Sequence, residues 1–195
     1  MHAVAYPRDY YDIYEKYTLG DYENWEEEKW MDVSQKKWQS FLSKHEKRLV
    51  DKGVDGFFVD NCDVYYVYHT DKMFRGLTKI LRHMKTYGKD IIINGGDTYV
   101  MEYKKRYGNL SDIMTGVNQE SVWTSIDFKT RRLCSQKKEV REYYQNYIEN
   151  CEEQGLIVYL TEYTTNRKLK KKIQEYCSQK NYHYYISNSI ELDGI

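Results

Sequence analysis

Short apolar runs that end in a polar or acidic residue recur through this chain, separated by amphipathic segments of about ten residues or more. Gly56-Phe57-Phe58-Val59 ends at Asp60, and Ile91-Ile92-Ile93 ends at Asn94. Gly155 to Leu160 and His183 to Ser187 repeat the pattern. Runs of this length suit strands covered on both faces, and strands that alternate with helices build β-α-β units on a parallel sheet.

The intervening segments carry helical periodicity. Residues 34–52 set Trp38, Phe41, Leu42, His45 and Leu49 three and four apart, with Ser34 as the expected N-cap and Gly53 as the stop. Residues 71–87 gather Met73, Leu77, Ile80, Leu81 and Met84 on one face and end at Gly88. Further helices are predicted over 99–107, 137–153 and 169–178, with strands near 112–117, 155–160 and 183–187. The basic run Arg167 to Lys172 stands at helical spacing from Ile173 and Tyr176, which predicts the solvated side of a surface helix.

Such alternation fits an open doubly wound sheet or a closed barrel. The open sheet commonly carries a Gly-rich phosphate turn after a strand, and Asn94-Gly95-Gly96-Asp97 matches neither the dinucleotide nor the P-loop pattern. Several strands instead end in residues able to do chemistry: Asp60, Asn94, Glu120 and Glu162. In a parallel β/α barrel those ends converge on the face that holds active sites. The expected fold class is therefore α/β, a TIM-type (β/α) barrel. At 195 residues the chain lies near the lower limit for eight strand-helix units, so a trimmed or incomplete barrel is expected. One Pro and no Ser/Gly-rich linker predict a single domain over 1–195.

Thirty basic and thirty acidic side chains give zero formal charge, which lacks the basic footprint of a nucleic-acid binder. No apolar stretch has membrane-spanning length, so no membrane partner is expected. Residues 1–7 lack the basic start and apolar run of a signal peptide; taken literally the chain is cytoplasmic, and with an upstream export signal it would be extracellular. Cys62, Cys134, Cys151 and Cys177 show no paired spacing and are expected as reduced structural thiols. The 22 tyrosines, against five Phe and four Trp, suit a sugar cleft, because an aromatic face stacks on a sugar ring and the hydroxyl bonds to it. Substitution of Tyr for Phe at half-buried positions accounts for the same count equally well.

Asp60 and Glu120 are the candidate catalytic residues. A carboxylate at the end of a buried strand is costly unless it is paired or used. Asn61 and Asp63 follow Asp60 at once, and crowded carboxylates push one another's pKa values apart, as an acid and a base sharing a site require. Glu120 follows an apolar strand and precedes Trp123, an aromatic wall that could keep an acid protonated. Two such groups can flank a glycosidic bond, one protonating the leaving oxygen and the other attacking the anomeric carbon or activating water. The structural alternatives are a helix-capping or Arg-bridging Asp60 and an exposed loop Glu120. Magnesium at Asp60-Asn61-Cys62-Asp63 is disfavoured, since such sites usually carry two Asp at alternate positions and Asp63 is three residues on. No cofactor and no metal are expected.

The segment Gly53-Val54-Asp55-Gly56-Phe57-Phe58-Val59-Asp60-Asn61-Cys62-Asp63-Val64-Tyr65 resembles the signature of the endo-α-1,4-polygalactosaminidase family, glycoside hydrolase family 114. Trp30-Met31-Asp32-Val33 before it fits the same pattern. So do Asn94-Gly95-Gly96, Gln119-Glu120-Ser121, Glu162-Tyr163 and the stretch Ile186 to Asp193 after it, in order. The resemblance implies a β/α barrel that cleaves α-1,4-linked galactosamine-containing polysaccharide, an amino-sugar polymer, with Asp60 and Glu120 as its acids. It implies Asp60 as nucleophile or charge stabiliser and Glu120 as acid/base. Asp63, Tyr65, Asn94, Glu162 and Tyr163 would bind substrate. Family members begin with two more strands; counting from Tyr17-Thr18-Leu19-Gly20 gives six here, so the barrel is expected to lack its first two. The alternative is a non-catalytic carbohydrate-binding or degenerate barrel module.

Overall fold

The computed structural model describes residues 11–22 and 28–190. It divides into two compact units, Met1–Thr115 and Gly116–Ile195. The opening residues 1–7 and the terminal Glu191, Leu192 and Asp193 of the family-like segment lie outside the described residues.

The first unit starts with a short helix α1 (Tyr11–Tyr14) and a 3-10 turn, followed by strands β1 (Thr18–Asp21) and β2 (Lys29–Met31). These two pair antiparallel with each other, Gly20 opposite Trp30, in a two-stranded sheet of their own. Residues 17–20, from which the six expected barrel strands are counted, thus belong to a separate sheet. The connection over residues 22–28 is shorter than the dozen or so residues a parallel crossover needs, and a hairpin results.

Helix α2 (Lys36–Asp51), strand β3 (Gly56–Val59), the single turn α3 (Val64–Val67), helix α4 (Asp71–Lys85), strand β4 (Asp90–Asn94) and helix α5 (Asp97–Tyr107) complete the unit. β3 and β4 are parallel, with Phe57 beside Ile91 and Val59 beside Ile93. Phe57, Val59, Ile91 and Ile93 turn to the buried face, and Leu42 of α2 and Leu77 and Leu81 of α4 gather beside Val59. Helix α4 begins where Thr70 Oγ1 accepts the Met73 N–H at 3.3 Å, and its last turn carries Arg82, His83 and Lys85 against the negative end of the helix dipole. Ser34 does not cap α2. Its N–H and hydroxyl both donate to Asp32 Oδ1, and Gln35 takes the N-cap position with its side chain donating to Asp32 Oδ2 rather than capping the helix.

In the second unit, strands β5 (Gly116–Glu120), β8 (Ile157–Tyr163) and β9 (His183–Ser187) run parallel, linked through helices α6 (Lys138–Glu152) and α7 (Arg167–Lys180). A hairpin of β6 (Thr124–Asp127) and β7 (Arg132–Ser135) follows β5. Two boundaries move from the sequence reading. Ile113 and Met114 are buried in the turn before β5 rather than in the strand, so the strand ends on Glu120 itself. β8 runs on past Leu160, which places Glu162 and Tyr163 inside it. The basic run lies in α7, whose Ile173 and Cys177 are buried while Lys168, Lys171 and Lys172 are exposed.

Cys62, Cys151 and Cys177 are buried, and Cys134 on β7 is exposed. Among the described residues no helix is long and apolar enough to cross a membrane.

Candidate active site

In the first unit, Asp60 follows the last residue of β3, and Asn94 ends the neighbouring β4. The register puts them side by side on the less buried face, shared with Phe58 and Ile92. Asn94 Nδ2 donates to Asp60 Oδ1 at 3.0 Å, and the Asn61 N–H donates to the same oxygen at 2.9 Å.

The chain turns sharply after Asp60. Asn61 has a left-handed φ of 62°, and its Oδ1 accepts the Tyr22 hydroxyl at 3.0 Å. Tyr22 in turn packs edge-on against Trp30 of β2, with ring centroids 4.5 Å apart. Asn61 and Tyr22 therefore support the Asp60 turn, a role that no sequence signal marks for either.

Asp63 lies against the Gly95-Gly96 turn that opens α5. A Cβ added at Gly95 would stand 3.3 Å from Asp63 Oδ2. Burial, then the charge of Asp97, pushes the Asp63 carboxyl up to about 6, and the Gly96 N–H bond offsets only part of that. Gly96 itself has φ 69°, and a Cβ there would come 2.8 Å from the Cβ of Cys62. Tyr65, 1% exposed, is covered by the unit and shares a 3.2 Å hydrogen bond with His69 Nε2.

In the second unit, Glu120 ends β5 and pairs in register with Thr161 of β8. Alternation along the strands puts Asn118, Glu120, Thr161 and Tyr163 on one face. Thr161 Oγ1 donates to Asn118 Oδ1 at 3.1 Å, and the Tyr163 hydroxyl donates to Glu120 Oε2 at 2.6 Å. Glu162 points to the other face and is 0% exposed. Its Oε1 accepts the Trp123 N–H at 2.9 Å, and its Oε2 accepts the N–H and hydroxyl of Thr124 at 3.0 and 2.6 Å. Burial pushes the Glu162 carboxyl up to about 7, against the pull of these donors. Trp123, expected as a wall beside Glu120, packs its ring on Tyr176 and under the Arg141 guanidinium.

Of the expected site residues, the structure thus joins Asp60 to Asn94 in one unit and Glu120 to Tyr163 in the other. Tyr65 and Glu162 lie beneath the surface of their units. Thr124, which no sequence signal marked, links Glu162 to Tyr163. Among the described residues no group of three or more His, Cys, Asp or Glu side chains is placed to hold a metal ion.

No curated protein matches the chain by sequence. Solved structures do match its fold. The glycoside hydrolase domain of PelA from Pseudomonas aeruginosa superposes with a TM-score of 0.78 at 15% identity, over 96% of this chain and 76% of that one. Ega3 from Aspergillus fumigatus, solved in complex with galactosamine, superposes with a TM-score of 0.70 at 15% identity, over 96% of this chain and 72% of that one. These likenesses support the α/β fold of parallel strands and helices. The sequence model of glycoside-hydrolase family GH114 matches residues 3–195, essentially the whole chain, and the protein belongs to that family.

Proposed function

We propose that the protein is a glycoside hydrolase that cleaves α-1,4-linked galactosamine-containing polysaccharide, with Asp60 and Glu120 as its pair of working carboxylates. Family membership over the whole chain supports hydrolase chemistry on a sugar linkage. The galactosamine complex of the similar Ega3 supports the choice of amino sugar. The observation that carries the residue assignment is positional. Asp60 and Glu120 each stand at the C-terminal end of a parallel strand, the end at which β/α-barrel enzymes place their catalytic groups.

Asp60, served by the Asn94 amide and the Asn61 N–H, acts as nucleophile or charge stabiliser. Glu120, bonded to the Tyr163 hydroxyl, serves as acid/base: it protonates the leaving oxygen and then takes a proton from water. Asp63 and Asn94 offer a carboxyl and an amide to the hydroxyl and amine groups of the sugar. A galactosamine unit without its acetyl group is cationic, and a carboxyl-lined site attracts it.

The test is hydrolysis of partially deacetylated galactosamine oligomers. The wild type is expected to release shorter products, in EDTA as well as without it. Asp60→Asn and Glu120→Gln are each expected to retain binding and lose turnover by orders of magnitude. Full turnover in both variants would overturn the residue assignment, and binding without cleavage by the wild type would identify a carbohydrate-binding module instead.

A further inference from the structure

Glu162 and Tyr163 are adjacent in β8, so their side chains leave the strand on opposite faces. Tyr163 reaches Glu120, and Glu162 goes the other way, into a fully covered position. A side chain so enclosed has no surface to offer a polymer. It does have donors on both oxygens: the Trp123 N–H and the N–H and hydroxyl of Thr124 lie within 3.0 Å, and the Val122 N–H also bonds it.

We propose that Glu162 is a positioning residue: its enclosed carboxylate gathers the turn that follows Glu120 and, through Thr124, sets the Tyr163 hydroxyl on the Glu120 carboxylate. The inference rests on the reading of Glu120 as a working carboxylate.

Three features support it. The first is the direction of every bond. The groups facing Glu162 are the backbone N–H donors of Val122, Trp123 and Thr124 and the Thr124 hydroxyl. An ionised carboxylate offers acceptors on both oxygens, whereas a Gln would turn an NH2 toward a donor. The second is the relay at Thr124. Its Oγ1 donates to Glu162 Oε2 and accepts the Tyr163 N–H at 3.0 Å. The carboxylate on one face of β8 therefore fixes the backbone that carries the ring on the other. The third is the turn itself. Ser121 has a left-handed φ of 58°, a strained conformation for a residue with a side chain. Gln136 Nε2 donates to the carbonyls of Ser121 and Thr124, at 3.0 and 3.1 Å, so the turn is tied through its N–H groups and its carbonyls together. The Ser121 N–H bonds to the Thr161 carbonyl at 2.9 Å, which joins the start of the turn to the same strand.

The inference is tested by kinetics and amide hydrogen exchange together, on Glu162→Gln, Thr124→Val, Thr124→Ser and Tyr163→Phe. Glu162→Gln, Thr124→Val and Tyr163→Phe are expected to lower kcat by about tenfold to a hundredfold with KM within about twofold of wild type. Thr124→Ser keeps the hydroxyl and is expected to restore kcat to within about threefold. The double variant Glu162→Gln/Tyr163→Phe is expected to lose little more than its worse parent, since both act through one bond. Exchange at the Trp123 and Thr124 amides is expected to quicken in Glu162→Gln and to stay slow in Tyr163→Phe. If the wild type cleaves substrate and the folded Glu162→Gln and Thr124→Val variants keep full kcat, the positioning role is overturned. A KM rise at constant kcat in Glu162→Gln overturns it too, by showing a substrate contact. If the exchange pattern holds while the wild type cleaves nothing, the clamp on the turn stands and the hydrolase reading falls.

Discussion

Asp60 sits among small donors supplied by its own loop and by the next strand, a backbone N–H and the Asn94 amide. Glu120 meets a phenol at the end of a longer lever, Tyr163, whose backbone is tied down through Thr124 to a buried acid. The first arrangement needs little depth, because its donors are already beside the carboxylate. The second needs a foundation, and the foundation is costly, since a covered carboxylate gives up its hydration. Each unit thus fixes one strand-end acid, the first by direct contact and the second by support from behind. The difference matches the proposed division of labour. A stabilising carboxylate wants donors that keep its charge in place, while an acid/base must give up and recover a proton without moving.

Leaving-group chemistry is the strongest way to break this comparison. On the natural polymer, Asp60→Asn is expected to cost about 10⁴-fold in kcat and Glu120→Gln about 10² to 10³-fold. On an activated aryl glycoside, whose leaving group needs no proton, Glu120→Gln should recover most of the first step while Asp60→Asn stays inactive. Equal behaviour of the two variants on both substrates would erase the division of roles.

The next effect concerns the first unit. Gly96→Ala combines a left-handed backbone with a Cβ placed 2.8 Å from the Cβ of Cys62. A loss of about 2 to 4 kcal/mol in urea unfolding is expected. A neutral result would mean that the turn beside Asp63 yields readily.

The foundation in the second unit predicts a pH effect of known sign. Glu162 titrates near 7 in the folded protein against 4.5 for an ordinary Glu side chain. The folded state therefore binds the extra proton between those values, and stability falls as pH rises from about 4.5 through about 7. The contribution is on the order of 3 kcal/mol. Comparing Glu162→Gln with wild type in thermal unfolding at pH 5 and pH 7.5 isolates it, because the pH-dependent loss should be smaller in the variant. The smallest effect is expected at Tyr22→Phe, which removes the hydroxyl bonded to Asn61 and should cost about 1 kcal/mol.

The sequence disclosed the parts of this molecule that hydropathy controls. β3, β4 and helix α4 are plain in the text because Phe57, Val59, Ile91 and Ile93 and the Met73 to Met84 stripe are apolar at the right period. β5 was displaced because its own residues Asn118 and Gln119 are polar yet buried, while the apolar Ile113 and Met114 belong to the preceding turn. The β6–β7 hairpin escaped notice because four-residue strands such as Thr124 to Asp127 carry too few apolar positions to show a period. Asp60 stood out as a charge closing an apolar run. Glu162 was visible as an acid, but its neighbours were not, since all but one of its donors are backbone N–H groups about forty positions away, which no side-chain pattern records.

The distribution of thiols has a practical consequence. Three are enclosed, and burial holds the Cys177 sulfur in its unreactive protonated form, raised to about 12. Cys134 is exposed on β7, directly opposite Ser125, one step along the hairpin from Thr124. The native chain thus supplies an attachment point for a maleimide fluorophore or spin label beside the clamped turn, and loosening of that turn could be followed in solution without introducing a cysteine.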